Sequence, residues 1–206
     1  LRDSVKMTDG AFVLFSCDFF GPVKPQSFKG NNWCLLFCCD KCNYTKAQPI
    51  EHKSEAPVEL IKFVNEVRRK CGCDTGSKFT PKGKLCFAGI HCDNEPVFRS
   101  DLWKQAIHKT GLNELHSVPY CPQMNGTCER HVGTLKSSLR TTMNNVDPRV
   151  WDFCLEHIAQ VYNMKDSKKA TKCAKKGTPV PCCPDDVMEQ ESSNPFFKSG
   201  KNKMRY

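Results

Sequence analysis

The order of short apolar runs and longer amphipathic patterns constrains the fold of this 206-residue chain more than any other feature. Apolar runs at residues 11–17, 32–39 and 44–50 are short and bounded by turn residues, which is typical of buried strands. Residues 54–70 instead carry their apolar side chains on one helical face, and Ser54 is the predicted N-cap of that helix. Three strands followed by a helix predict an antiparallel meander at the start of an α/β domain.

The second half of the chain alternates strand and helix patterns. The sequence predicts a strand at 85–92, a helix at about 99–109, a short strand at 113–117 and a helix from about 124 to 144, before a last helix. This order, β-β-β-α-β-α-β-α-α, matches a five-stranded mixed sheet flanked by helices, which is the ribonuclease-H-like arrangement. In that arrangement the first strand and the strand at 85–92 are neighbours.

Three of the apolar runs end directly before an aspartate, and the first and fourth of these runs belong to strands that are expected to be neighbours. Asp18 follows the first run and Asp93 follows the fourth, so neighbouring strands would place the two carboxylates side by side. Glu129 comes later, with 35 residues between it and Asp93. Carboxylate oxygens suit Mg²⁺ or Mn²⁺, and two such ions about 3.5–4 Å apart can activate an attacking oxygen and stabilise a leaving one. The leading hypothesis is therefore phosphoryl transfer on nucleic acid.

The predicted helix at 124–144 has two distinct faces. A core-facing stripe at steps of three and four residues contains Cys128, Val132, Leu135, Leu139 and Met143. A second line lies one residue round the helix and contains Glu129, Gly133, Lys136 and Arg140. The pattern predicts that Glu129 stands at the rim of the core, with two cations further along the same line.

Three motifs in the right order resemble one protein family. They are Asp18-Phe19-Phe20-Gly21-Pro22, Cys92-Asp93-Asn94-Glu95-Pro96-Val97-Phe98, and the form Pro-Tyr-x-Pro-Gln-x-Asn-Gly-x-x-Glu-Arg at residues 119–130. Over residues 8–165 the chain resembles the catalytic core of a retroviral-type integrase of the DDE superfamily. The third motif is most similar to the copia group of long-terminal-repeat retrotransposons.

The resemblance implies a polynucleotidyl transferase that trims DNA ends and joins them into target DNA. Asp18, Asp93 and Glu129 would be catalytic and would bind two Mg²⁺ or Mn²⁺ ions. The residues expected to contact DNA are Lys136, Arg140, Tyr120, Gln123 and Asn125. The implied partners are double-stranded DNA, as element ends and target, and further copies of the chain in a homo-oligomer. The implied location is intracellular, in the nucleus or in a cytoplasmic virus-like particle.

Two other functions stay open, because one site can serve both joining and hydrolysis and because the chain departs from the family pattern. Glu95 stands where the family usually has glycine, and a tight turn with positive φ would strain it. One alternative is a ribonuclease-H-like nuclease that only hydrolyses, and the other is a catalytically inactive, domesticated DNA-binding relic. Asp40 also ends an apolar strand and competes with Asp18, although the Gly-Pro placement favours Asp18. Glu95 and Asp101 are expected to add negative charge around the site.

Composition narrows the function classes further. Lys and Arg number 31 against 22 Asp and Glu, a net charge of +9, and the excess lies late in the chain. Residues 166–206 are therefore predicted to form a basic tail outside the compact core that binds a polyanion. There is no signal-peptide pattern and no apolar run long enough to cross a membrane, and the first residue, Leu1, indicates a piece of a longer product.

Cysteines and histidines suggest no additional chemistry. The 15 cysteines are predicted to be mostly small buried hydrophobes, and the single C-x-x-C, at 39–42, lacks the further ligands of a zinc site. The zinc module that precedes the core in retroviral-type integrases is not found in this sequence. The four histidines considered as hydrolase residues are predicted to be surface or strand residues, with His131 of interest because it neighbours Glu129: His91, His108, His116 and His131.

Overall fold

A five-stranded mixed sheet forms the centre of the computed structural model, which describes residues 13–71, 73, 86–116 and 126–165. The strands are β1 (Leu14–Phe20), β2 (Trp33–Cys39), β3 (Thr45–Ile50), β4 (Gly89–Cys92) and β5 (Asn113–His116). Their order is β3-β2-β1-β4-β5; β1 to β3 form an antiparallel meander, and β4 and β5 run parallel to β1. The predicted α/β class and the pairing of the first and fourth strands are confirmed, and the arrangement is consistent with a ribonuclease-H-like fold.

Helices cover both faces of the sheet: α1 (Ala56–Lys70), α2 (Asp101–Thr110), α3 (Gly126–Thr142) and α4 (Trp151–Met164). Successive strand residues point to opposite faces, so β1 and β2 supply side chains to two cores. Phe15 and Phe37 lie in the core formed with α1 and α2. Cys34 and Leu36 lie in the core formed with α3 and α4. Each face of the sheet is thus covered by one pair of helices.

Two strand boundaries differ from the prediction. β1 continues through Asp18 to Phe20, whereas the apolar run ends at Cys17. β4 begins only at Gly89, because Phe87 has a φ of 43° and leaves the extended conformation. The guanidinium of Arg68 donates a hydrogen bond of 2.9 Å to the Phe87 carbonyl and holds this bend in the core.

The predicted cap of α1 is wrong. Ser54 lies inside a 3₁₀ turn, Lys53–Glu55, that precedes the helix. The carboxylate of Glu55 accepts a hydrogen bond of 2.6 Å from the backbone N–H of His52, which fixes the turn. Lys53 is therefore held in a defined position between β3 and α1.

The predicted stripe of α3 is confirmed. Cys128, Leu135 and Leu139 are buried against the sheet, whereas Glu129 and Lys136 are exposed. Most of the cysteines that the structure describes are buried free thiols, as predicted, and both cysteines of the 39–42 motif lie in the core.

Several predictions fall outside the described residues. These are the loop residues Tyr120, Gln123 and Asn125 and the basic tail 166–206, and they stay predictions. None of the helices in the described part of the chain combines the length and apolar character needed to cross a membrane.

Candidate active site

Asp18 and Asp93 lie beside each other at one edge of the sheet. Cys17 of β1 pairs in parallel register with Cys92 of β4, and each aspartate is the next residue along its strand. Both carboxylates therefore lie at the carboxyl ends of adjacent central strands, which is the usual place for a ligand in an open α/β sheet.

Helix α3 delivers Glu129 to the same edge. The residue before it, Cys128, is fully buried, with its Sγ 3.9 Å from the carbonyl oxygen of Ser16 and 3.5 Å from Sγ of Cys38. Ser16 is two residues before Asp18 on β1, so the first turn of α3 rests on the strand that carries Asp18. Glu129 itself is exposed at the rim, as its position beside the core stripe predicts.

The charges of Asp93 and Glu129 both act on Asp18. The pKa of Asp18 is raised from 3.8 to about 6, mainly by burial and to a lesser extent by the charges of Asp93, Cys38 and Glu129, against a hydrogen bond from the Phe19 backbone that lowers it. An acid whose neighbours are acids is costly to ionise. The structure therefore concentrates negative charge at this edge.

The pKa of Asp93 is also raised, mainly by burial and in part by the charge of Glu95, while the hydrogen bond from the Glu95 backbone and the charge of Lys53 oppose the shift. The predicted contribution of Glu95 is confirmed. Its predicted strain is wrong, because Glu95 has a φ of −59° and a ψ of 139°. Pro96 follows it and favours this extended conformation, so no glycine is required.

The acids keep oxygen atoms available for a ligand. Oδ1 of Asp18 accepts a hydrogen bond of 2.7 Å from the Phe19 backbone, and Oδ1 of Asp93 accepts one of 3.1 Å from the Glu95 backbone. Within the described residues, no basic side chain forms an ion pair with Asp18, Asp93 or Glu129.

The donor set fits hard divalent cations, because carboxylate oxygens are their preferred ligands and the negative charge lacks a paired cation. The described residues contain no ready-made group of three His, Cys, Asp or Glu side chains arranged around one point. The three acids thus share an edge without forming a closed ligand cage, and their assignment as metal ligands stays a prediction.

The competing acids lie elsewhere. Asp40 follows β2, which runs antiparallel to β1, and its Oδ1 accepts a hydrogen bond of 2.8 Å from Oγ of Ser16. It follows Cys39, the partner of Phe15, so its backbone lies toward the start of β1, away from Asp18. Asp101 is exposed and pairs with Lys104 at 3.6 Å, and its charge is not among the main influences on Asp93. The structure therefore favours Asp18 over Asp40.

The predicted DNA-binding cations on α3 extend from the acid edge. Nζ of Lys136 lies 5.2 Å from the ring centroid of Phe20, two residues after Asp18. Arg140 is exposed one turn further along the helix. Within the described residues, neither side chain is held by an acid, so both are available to phosphates.

The histidines have structural surroundings. His91 and His116 lie in strands, His108 in α2 and His131 in α3, and both His91 and His131 are buried. Nδ1 of His131 is 2.5 Å from Oγ1 of Thr45 on β3, so this side chain joins α3 to the sheet and points away from the rim where Glu129 lies. Because residues three apart share a helix face, the position of His131 three residues after the buried Cys128 indicates that its side chain faces the core.

Part of the chain is similar to transposon proteins. The Transposon Tf2-3, Tf2-4 and Tf2-5 polyproteins of Schizosaccharomyces pombe (strain 972 / ATCC 24843) are each 34% identical to it over 74 residues. The match covers 36% of this chain and 6% of each polyprotein, so it spans a small part of these relatives. No protein-family model matches the chain. The similarity agrees with the predicted relation to transposable elements, and the copia grouping stays a prediction.

Proposed function

We propose that this chain is the catalytic core of a DDE-type integrase, of copia-like form, which trims DNA ends and joins them into target DNA. The observation that carries the proposal is the meeting of Asp18, Asp93 and Glu129, from two adjacent strands and one helix, at an edge where their charge is left without a basic partner. The partial similarity to transposon polyproteins supports it.

The acids would hold two Mg²⁺ or Mn²⁺ ions, which when bound supply activation of the attacking oxygen and stabilisation of the leaving oxygen. Asp18 and Asp93 are preoriented for this role, since each already has one oxygen fixed by a backbone N–H. Glu129 approaches from the exposed side, where a DNA strand has access. Glycine at position 133, with no atom within 4 Å of an added Cβ, leaves space beside it for that strand.

Lys136 and Arg140 would bind phosphates of the DNA end along the exposed line of α3, because lysine and arginine are the main phosphate-contacting residues of DNA-binding proteins. We assign Tyr120, Gln123 and Asn125 to the same DNA end on the resemblance alone. The proposed partners are double-stranded DNA and further copies of this chain, and the proposed place of action is the nucleus.

The test is a strand-transfer assay on labelled duplex DNA with Mn²⁺ or Mg²⁺. The Asp93→Asn variant should lose at least about 100-fold in activity, because losing a direct metal ligand costs more than the roughly 10–100-fold loss that is typical when a residue supporting a ligand is changed. Its binding to duplex DNA should be largely intact. The matched control is Asp101→Asn, which changes an exposed aspartate outside the acid edge and should retain full activity.

The products of the same assay separate the alternatives. Metal-dependent cleavage without joined products would identify a nuclease that only hydrolyses. Normal DNA binding with neither cleavage nor joining would identify a binding relic, for which the favouring observation is that the described residues form no closed ligand cage. Activity retained in Asp93→Asn would remove Asp93 from the site.

A further inference from the structure

The acid edge carries an ammonium group on each of its two sides. Phe19 and Phe20 follow Asp18 on β1, and their side chains point to opposite faces of the sheet. Phe20 lies in the core with α3 and α4, where Lys136 approaches its ring. Phe19 packs against the core with α1 and α2, and Nζ of Lys53 lies 4.9 Å from its ring centroid.

Lys53 is fixed more firmly than a surface lysine. Its Nζ lies 4.3 Å from the Trp33 ring centroid and donates a hydrogen bond of 2.9 Å to Oε2 of Glu95. The side chains of Lys53 and Glu95 are 23% and 32% exposed, so the pair is half-buried but open to solvent. An ammonium has three donors, and the hydrogen bond to Glu95 uses one of them.

Lys53 is also close to the proposed catalytic acids. The backbone N–H of its partner Glu95 binds Oδ1 of Asp93, so one residue contacts both the lysine and the aspartate. The charge of Lys53 is one of the influences that lower the pKa of Asp93. A phosphate placed at Asp93 on the α1 side would therefore lie near this ammonium.

We propose that Lys53 binds a phosphate of the target DNA on the α1 side of the acid edge, and that Glu95 competes with this phosphate for Nζ of Lys53. The proposal rests on the proposed function, in which two DNA molecules meet at one site. Lys136 and Arg140 occupy the α3 side and are assigned to the DNA end. Lys53 is a cation that the described structure places on the other side, held beside Asp93 through Glu95, so we assign it to the second DNA.

Glu95 and a DNA phosphate would compete for Nζ of Lys53 because both carry negative charge. Glu95 and a phosphodiester are both anions, and Nζ of Lys53 is held by the two rings in either case. Replacing Glu95 by glutamine keeps its size and the backbone hydrogen bond to Asp93 but removes the competing charge. Target affinity should then rise, whereas loss of the Lys53 charge should lower it.

The experiment measures end trimming and target joining separately. Trimming needs only the DNA end, whereas joining needs both DNA molecules. Lys53→Gln should reduce joining about tenfold at low target concentration, the cost of one charge-assisted phosphate contact, and should reduce trimming by a smaller factor. Lys53→Arg should retain most joining.

Glu95→Gln should raise the apparent affinity for target several-fold, and the double variant Lys53→Gln/Glu95→Gln should behave like Lys53→Gln. Lys104→Gln is the matched control, since this exposed lysine on α2 pairs with Asp101 and should have no effect.

The outcomes separate this inference from the proposed function. If the parent joins DNA and Lys53→Gln joins it equally well at limiting target, the role of Lys53 is overturned and the proposed function stands. If the parent neither trims nor joins, the proposed function fails, and duplex binding decides the role of Lys53. Weaker binding by Lys53→Gln with stronger binding by Glu95→Gln supports a phosphate site, whereas equal affinities overturn it. Should Lys53→Gln fail to fold, the Glu95→Gln measurement decides alone.

Discussion

Two polar regions on the α3 side of the sheet are built in opposite ways. In the first, the side chain of Asn163 on α4 pairs with both backbone groups of Thr45, accepting from its N–H and donating to its carbonyl at 2.8 Å each, and His131 bonds to the Thr45 hydroxyl. In the second, Asp18 and Asp93 each receive one backbone hydrogen bond, and their charges have no basic partner among the described residues.

The difference indicates which region is structural and which is functional. Buried polar groups that stabilise a fold are hydrogen-bonded, and Thr45 lies on an edge strand whose free backbone groups Asn163 satisfies as a neighbouring strand would. Carboxylates that repel one another do not stabilise a fold. The proposed metal ions would supply the positive charge that this edge lacks.

The largest expected effect on stability comes from removing the hydrogen bonds of the first region. Asn163→Ala should lower the free energy of unfolding by about 2–3 kcal/mol, because it leaves the N–H and the carbonyl of Thr45 buried without partners. Urea unfolding measures the change. The matched control is Gln160→Ala, an exposed position on the same helix, which should stay within about 0.5 kcal/mol of the parent. Equal stability of the two variants would contradict a structural role for this region.

The next effect concerns the cations beside the acid edge. Lys136→Glu should reduce the joining of DNA ends by about tenfold or more, because it replaces an attraction to phosphate by a repulsion. Stability should change by no more than about 0.5 kcal/mol, since the side chain is exposed. Lys136→Arg should retain much of the activity, and Lys62→Glu, on the exposed side of α1, is the charge-reversal control. Normal joining by a Lys136→Glu protein that melts like the parent would show that DNA does not follow this helix.

The last prediction concerns a small change in the stability of the second region. Asp18→Asn should abolish activity yet stabilise the metal-free protein by about 1 kcal/mol at neutral pH, after allowance for partial exposure of the group. The asparagine oxygen can still accept from the Phe19 backbone, while the repulsion from Asp93 and Glu129 disappears.

The pH dependence of that gain follows from the pKa of Asp18, which is about 6 in the folded state against an ordinary 3.8. Because the folded state holds the proton more tightly, the parent loses stability relative to the variant as the pH rises from about 4 to 6, and the gap is constant above that range. Thermal melts of both proteins across this range measure it. A variant that is less stable than the parent at neutral pH would show that Asp18 stabilises the fold.

Much of the fold could be predicted because its signals are local. The apolar runs gave the strands and their neighbours, and the steps of three and four residues in α3 separated Cys128 from Glu129. Two errors also had local signals that were missed: Pro96 favours the extended conformation of Glu95, and the spacing of His131 from Cys128 places it on the buried side.

Other features depend on contacts between distant parts of the chain. Lys53 and Glu95 are 42 residues apart, and the residues that bond across α3 and β3, His131 and Thr45, are 86 apart. No periodicity or spacing reports such pairs, since each partner alone resembles an ordinary surface or core residue. The convergence of the three acids was predictable because strand pairing brings two of them together. The arrangement of their oxygen atoms was not, because it depends on side-chain rotamers and on the ligand.

The central claim is that Asp18, Asp93 and Glu129 bind divalent cations together. The most direct test is a crystal structure of the protein soaked in Mn²⁺, with the metal located by its anomalous scattering. The account predicts metal at the carboxyl ends of β1 and β4, with oxygen atoms of all three carboxylates at about 2.0–2.3 Å. Metal bound elsewhere, or an acid edge that stays empty at millimolar Mn²⁺ while the protein is folded, would contradict it.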